Sequence, residues 1–123
     1  MKNRIFLMSA FLGLFAIFAV TANAQKVGGY KPIAADDAGA QAAAEFAVGA
    51  ESEKTGKTIE LVSIHTAERQ TVQGANYRLC MKVSSEGGEG QDDVSFFVQV
   101  VVYQDLKRAY KLTSWATSEC GDD

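Results

Sequence analysis

The chain of 123 residues is poor in the residue types that most catalytic sites require. It has one histidine, His65, and two cysteines, Cys80 and Cys120. A single histidine leaves little for a Ser-His-Asp triad or a multi-histidine metal site. The G-x-S-x-G, H-E-x-x-H and Walker sequences do not occur either. The sequence therefore gives no positive signal for catalysis, and we expect neither an enzyme nor a cofactor.

Positive charge is also scarce. The chain has 12 Lys and Arg against 15 Asp and Glu, a formal net charge of −3 and a pI near 5.1. Such a balance disfavours nucleic acid and anionic lipid surfaces as partners. A hydrophobic fraction of 47% argues against a disordered chain, and the length suits one domain. We therefore expect one acidic globular domain that binds no nucleic acid.

One long uncharged run lies at the N-terminus. Lys2 and Arg4 precede sixteen residues without charge, and small residues place a cleavage site after Ala24. The pattern predicts a secretory signal peptide over residues 1–24 and a mature domain over residues 25–123, secreted or periplasmic, with no membrane contact after cleavage. A retained membrane anchor is the alternative, but the run is shorter than the roughly 20 residues that span a bilayer.

The mature part begins with an arm and a helix. Residues 25–37 contain the only proline, Pro32, and are predicted to be an extended, flexible arm. Asp36 or Asp37 is a plausible N-cap for a helix from Ala38 to about Glu53. Small and apolar residues at spacings of three and four predict one buried helical stripe: Ala40, Ala43, Phe46, Ala47 and Ala50.

The rest of the chain predicts antiparallel strands. Alternation and β-branched residues indicate strands near 58–69, 76–83, 94–103 and 110–118. Polar turns separate them: a hairpin centred on Gln73-Gly74, a turn over 86–91 and another over 104–108. One helix packed on such a meander defines an α+β domain.

The two cysteines favour a single disulfide in an oxidising compartment. However, the strands that contain Cys80 and precede Cys120 are not adjacent in a simple meander, and a bridge needs Cα atoms within about 7 Å. Either the C-terminal tail folds back across the sheet, or the cysteines bond between two molecules.

The remaining polar clusters predict no metal site. His65 lies inside a predicted strand without Cys, Asp or Glu at ligand spacing, so we interpret it as an ordinary strand residue. Four acids lie in or beside the turn after the second strand, but they lack the regular spacing of a calcium loop. We expect that turn to be solvated: it contains Glu86, Glu89, Asp92 and Asp93.

The most informative segment is Gln70-Thr71-Val72-Gln73-Gly74, a Q-x-V-x-G sequence in the predicted first hairpin. An uncharged hairpin tip is unusual in an acidic domain. It suits insertion into a narrow cleft, where a buried charge would be costly. The glycine permits tight backbone geometry.

With three further features, this segment resembles the cystatins, the protein inhibitors of papain-like cysteine proteases. Gly28-Gly29 is similar to the glycines of the family's N-terminal trunk, and residues 44–48 to its helix motif. Tyr77-Arg78-Leu79 continues as the strand after its first hairpin does. The resemblance covers residues 26–120. It implies a cystatin-like α+β fold, with one N-terminal helix on a four- to five-stranded antiparallel sheet.

The resemblance also implies a wedge that plugs a protease cleft reversibly and without covalent chemistry. The protease-binding residues it implies are Gly28, Gly29, Gln70, Thr71, Val72, Gln73, Gly74, Tyr103, Gln104 and Leu106. Many cystatins carry Pro-Trp in the second hairpin, but this chain has none, so Tyr103 or Leu106 would supply the apolar contact. A cystatin-fold module that binds another protein or peptide is the alternative. We expect a monomer, with a hairpin-exchanged dimer left open.

Overall fold

A computed structural model of the protein describes residues 28–121. The predicted signal peptide over residues 1–24 lies outside the described residues. Within the described residues, no helix is both long and apolar enough to cross a membrane.

One helix packs on a five-stranded antiparallel sheet whose strands follow one another in chain order, from β1 to β5. The elements are β1 (Lys31–Ile33), α1 (Ala38–Thr55), β2 (Ile59–Val72), β3 (Gly74–Ser85), β4 (Val94–Gln104) and β5 (Tyr110–Thr117). This architecture confirms the predicted α+β class, the single helix and the meander that follows it.

Helix α1 begins and ends where its sequence provides caps. The carboxylate of Asp37 accepts a hydrogen bond from the Ala40 N–H at 3.0 Å, which satisfies one of the unpaired first-turn donors. At the other end Gly56 adopts φ 75° and donates its N–H to the Ser52 carbonyl at 2.9 Å. A left-handed residue here favours glycine, so the helix ends there rather than near Glu53.

The helix face that packs on the sheet differs slightly from the predicted stripe. Phe46 and Ala50 are only half-buried. The buried residues recur at i, i+3, i+4, i+7 and i+8: Ala40, Ala43, Ala44, Ala47 and Val48. Small side chains at these positions bring the helix close to the sheet, whose inner face supplies the larger core residues, among them Tyr77, Leu79, Met81, Val83, Val98, Val100 and Val102.

The predicted flexible arm is instead partly paired. Residues Lys31–Ile33 form β1, an edge strand in which Lys31 lies opposite Arg69 and Pro32 opposite Glu68. Proline is tolerated at such an edge because its missing N–H faces away from a neighbour. The arm is therefore extended, as expected, but anchored to β2.

The disulfide joins Cys80 and Cys120 within one molecule, with their Cα atoms 6.0 Å apart. After β5 the chain turns back over the sheet, and the Ser118 N–H donates to the Phe97 carbonyl on β4 at 3.0 Å. The tail thus crosses β4 to reach β3. Of the two arrangements that the sequence left open, the structure contains the folded-back tail.

Candidate functional site

The first hairpin is tight, because Gln73 alone separates β2 from β3, and Val72 pairs directly with Gly74. Gly74 has φ 98°, a conformation that side chains disfavour. A Cβ at this position would also collide with the Gln104 carbonyl. Glycine therefore lets the β4–β5 turn approach the first hairpin. At the tip, Thr71 and Gln73 are exposed and Val72 is half-buried.

The N-terminal trunk is attached to the first hairpin through Gln70. The Gln70 side-chain amide donates to the Gly28 carbonyl at 2.6 Å, while its oxygen accepts from the Asn76 amide at 2.9 Å. Gln70 is half-buried and bridges trunk and hairpin. Gly29 is exposed, and a Cβ there would meet nothing within 4 Å.

A second set of contacts anchors the trunk, and the sequence reasoning missed it. The Arg78 guanidinium lies 4.0 Å from the centroid of the Tyr30 ring and forms a two-point ion pair with Glu68, at 2.8 and 3.1 Å. The hydrogen bond from Arg78 lowers the pKa of Glu68, and the same bond raises the pKa of Arg78. Residues 68 and 78 are both five positions from Gln73, so a hairpin that turns at Gln73 places them opposite each other. This register could have predicted the ion pair from the sequence.

The second hairpin is the β4–β5 turn. The Tyr103 hydroxyl donates a hydrogen bond to the Gln73 carbonyl, so this side chain connects the two hairpins. Gln104 is half-buried and pairs with Ala75 and Tyr110. Leu106 is 76% exposed, which makes it the most exposed large apolar side chain of residues 28–121.

The carboxylate of Asp105 points into its own turn. One of its oxygens accepts from the backbone N–H groups of Lys107 and Ala109, at 2.8 and 2.9 Å. Its hydrogen-bonding capacity is thus partly used inside the loop. An acid at this position therefore shapes the turn that presents Leu106.

Three segments consequently meet along one border of the molecule, which we call the hairpin edge: Gly28 and Gly29, residues 70–74, and residues 103–106. All ten residues that the sequence assigned to protease binding lie in these segments. The structure brings them together through the contacts of Gln70, Gly74 and Tyr103.

The other polar residues noted in the sequence lie away from this edge. The exposed His65 faces the ring of Phe97 edge-on, with centroids 6.0 Å apart. The acidic turn joins β3 to β4 at the opposite end of the sheet, where Ser85 pairs with Val94. Among residues 28–121, no three His, Cys, Asp or Glu side chains are grouped so that they could hold a metal ion.

Comparison with known proteins identifies the family. The model of the cystatin domain matches residues 28–111, and the chain belongs to the cystatin family. Family and fold together support a general role as a cysteine protease inhibitor, and members of this family are inhibitors rather than enzymes. No curated protein sequence matches the chain significantly.

Solved structures show the same fold. A salivary cystatin from the soft tick Ornithodoros moubata is similar with a TM-score of 0.60 and 21% identity, over 74% of this chain and 97% of that one. Dimeric human cystatin F is similar with a TM-score of 0.67 and 16% identity, over 79% of this chain and 91% of its own. At these identities the likeness shows the fold alone.

Proposed function

We propose that the protein is an exported, reversible and non-covalent inhibitor of papain-like cysteine proteases, and that the hairpin edge is the wedge that enters the protease cleft. The observation that carries the proposal is the direct linkage of the three segments. Gln70 joins the trunk to the first hairpin, and Tyr103 joins the first hairpin to the second.

The chemistry of the edge suits a narrow, dry cleft. The first hairpin contains no ionisable side chain between Gln70 and Gly74, so its insertion desolvates no charge. Its backbone is fixed by pairing up to the turn residue. A pre-formed edge loses little conformational entropy on docking, which favours tight binding.

Leu106 is our candidate for the apolar contact of the second hairpin. An interfacial tryptophan is often worth about 2 kcal/mol or more, so its absence requires a replacement. The hydroxyl of Tyr103 is bonded to the first hairpin, whereas Leu106 is 76% exposed beside it. Exposure of one leucine at the tip of a turn is consistent with burial in a partner.

Export rests on the N-terminal pattern and on the disulfide. A Cys80–Cys120 bridge persists in an oxidising compartment, such as the extracellular space or a periplasm. Both agree with a secreted or periplasmic inhibitor whose target is met outside the cytosol.

The first test is a titration of the purified protein against papain with a fluorogenic peptide substrate. We expect reversible inhibition with a nanomolar or tighter constant, the range in which protease inhibitors commonly bind. Absence of inhibition at tens of micromolar by folded protein would contradict the proposal. It would favour the second candidate, a cystatin-fold module that binds another protein or peptide, for which the missing Pro-Trp is the specific observation.

Two variant pairs locate the inhibitory surface. Gly29→Glu should abolish inhibition, because the free protein has room for the side chain but a complex with a closely docked protease does not. Gly49→Glu is the control: its position on α1 is equally unobstructed, and inhibition should be unchanged. Leu106→Asp should weaken inhibition by at least about tenfold through loss of apolar burial. Val94→Asp is its control, since Val94 is 58% exposed at the opposite end of the sheet.

A further inference from the structure

A cluster of positive side chains borders the hairpin edge. Five of the nine Lys and Arg residues between positions 28 and 121 lie there, and all five are exposed. We call them the basic flank: Lys31, Arg69, Lys107, Arg108 and Lys111.

The fold brings these five residues together from three strands and the turn of the second hairpin. Lys31 on β1 lies opposite Arg69 on β2, and Lys111 on β5 lies opposite Tyr103. Lys107 and Arg108 belong to the second hairpin. Arg69 and Arg108 line one open groove of about 490 Å³, together with Gly74 and Leu106 of the hairpin edge.

No side chain of the basic flank forms an ion pair within the described part of the chain. The one ion pair there joins Arg78 to Glu68. Three acids lie at the same end: Asp36, Asp37, which caps α1, and Asp105, which binds the N–H groups of its own turn. Five Lys and Arg side chains against these three acids give this end a positive formal charge.

Charge is therefore segregated along the molecule. The β3–β4 turn at the far end contains Glu86, Glu89, Asp92 and Asp93 and no Lys or Arg. The whole chain has a net charge of −3, whereas the end with the hairpin edge is positive. Such a local field steers an oppositely charged partner toward that end.

We propose that the basic flank selects papain-like proteases whose active-site cleft is bordered by acidic side chains, and that it accelerates their association with the hairpin edge. The inference rests on the proposed function, since the edge must enter the cleft for the flank to face its border. Acidic side chains of the protease within about 10 Å of the docked flank still attract it, because salt screens charges only weakly over that distance at low ionic strength.

The first measurement is the association rate constant of the unmodified protein with such a protease, from about 20 mM to about 500 mM salt. The basic flank predicts that association slows as salt is added, because screening weakens an attraction. The protease chosen for this measurement has a negative net charge, so net charge alone predicts the reverse: two acidic proteins repel, and salt relieves the repulsion. The sign of the slope thus decides between a local and a global effect.

The second measurement uses Arg69→Gln combined with Arg108→Asn. Asparagine is chosen because Arg108 has φ 69°, which asparagine tolerates. We expect association about tenfold slower at low salt and less than about twofold slower at high salt, with dissociation little changed. Lys54→Gln combined with Lys57→Gln removes the same charge at the other end of α1. Lys54 is about 24 Å along the helix from Ala38, which lines the groove of Arg69 and Arg108, so this variant should change the rate by less than about twofold.

A third measurement completes the test. It determines the same association rate constants with a protease variant in which the acidic residues at the border of the cleft are changed to amides. The steering effect of Arg69 and Arg108 should disappear with that enzyme. Two results would overturn the inference and leave the proposed function standing. One is inhibition of both enzymes with equal association rates and no salt dependence. The other is an equal loss of association rate in the two double variants. Failure to inhibit either enzyme would instead reject the proposed function, and this inference with it.

Discussion

The Tyr103 hydroxyl donates a hydrogen bond to the Gln73 carbonyl, 30 residues away in sequence, and so joins the tips of the two hairpins. The carbonyl belongs to the single residue that separates β2 from β3. The bond thus fixes the first hairpin to the second at the turn residue of the first.

Tyr103→Phe should loosen this junction. Loss of one hydrogen bond costs about 0.5–1.5 kcal/mol of the free energy of unfolding, measured by urea denaturation. Inhibition of papain should weaken by several-fold, because the two hairpins no longer hold one relative position. The control is Tyr110→Phe, which removes a hydroxyl without a hydrogen bond in the described part of the chain while the ring stays stacked on Phe46. Equal effects of both substitutions would argue against the junction.

Gly74→Ala should cost more stability than the same change at Gly90. Both glycines have positive φ, 98° and 76°, so each alanine is strained by about 1–2 kcal/mol. At Gly90 the added Cβ meets nothing within 4 Å, whereas at Gly74 it collides with the Gln104 carbonyl. We expect an additional loss of about 1–3 kcal/mol at Gly74, with weaker inhibition of papain. Equal losses at the two positions would show that the hairpins separate freely.

The fold could be predicted from the sequence largely because its signals are local. Alternation along β3 identified the buried face that contains Leu79 and Met81, and the pair Asp36-Asp37 marked the start of α1, where Asp37 is the N-cap. The strand boundaries were less accurate at the first hairpin, where pairing extends to Val72 and Gly74. The prediction of a flexible arm was wrong because Lys31–Ile33 pairs with a strand more than thirty residues away in sequence. Nothing in the composition of the arm indicates that partner.

The sequence predicts residues for the candidate site but not the contacts between them. The Q-x-V-x-G segment and the trunk glycines can be recognised in the sequence without a structure. Gln70, however, was assigned to the wedge, and only the structure shows its amide holding Gly28. Likewise, Tyr103 and Leu106 were equivalent candidates until the hydroxyl of Tyr103 was found on the Gln73 carbonyl. Such roles depend on register and on side-chain direction across elements.

Gly49 inside α1 and Gly56 directly after it should respond to alanine with opposite signs. Gly49 lies inside the helix with open space around its Cβ position, so Gly49→Ala should raise the free energy of unfolding by about 0.5–1 kcal/mol. Gly56 ends the helix at φ 75°, so Gly56→Ala should lower it by about 1 kcal/mol. Thermal and urea unfolding measure both, and inhibition should be unchanged because neither residue is near the hairpin edge. Destabilisation by Gly49→Ala would contradict the open environment described for that position.

Removal of the disulfide should destabilise the domain without moving the hairpin edge. Cys80 and Cys120 are 40 residues apart in sequence, and a loop of that length gives about 4 kcal/mol in the chain-entropy model, with about 2–4 typical of measured cases. Cys80→Ala combined with Cys120→Ala should show this loss in urea unfolding. Reductant should destabilise the unmodified protein by a similar amount and leave the double variant unaffected. A reductant effect on the variant would point to another cause.

The ion pair of Glu68 and Arg78 should make stability depend on pH in the acidic range. The hydrogen bond from Arg78 lowers the pKa of Glu68 in the folded protein, so the unfolded chain binds the proton more readily. Its contribution is therefore complete above the unfolded pKa of about 4.3 and is lost as the pH falls through the lower folded value. Urea unfolding from about pH 7 to about pH 2.5 should show the unmodified protein more stable than Glu68→Gln at neutral pH, with the difference disappearing in acid. A difference for Glu68→Gln that stays constant with pH would contradict the linkage.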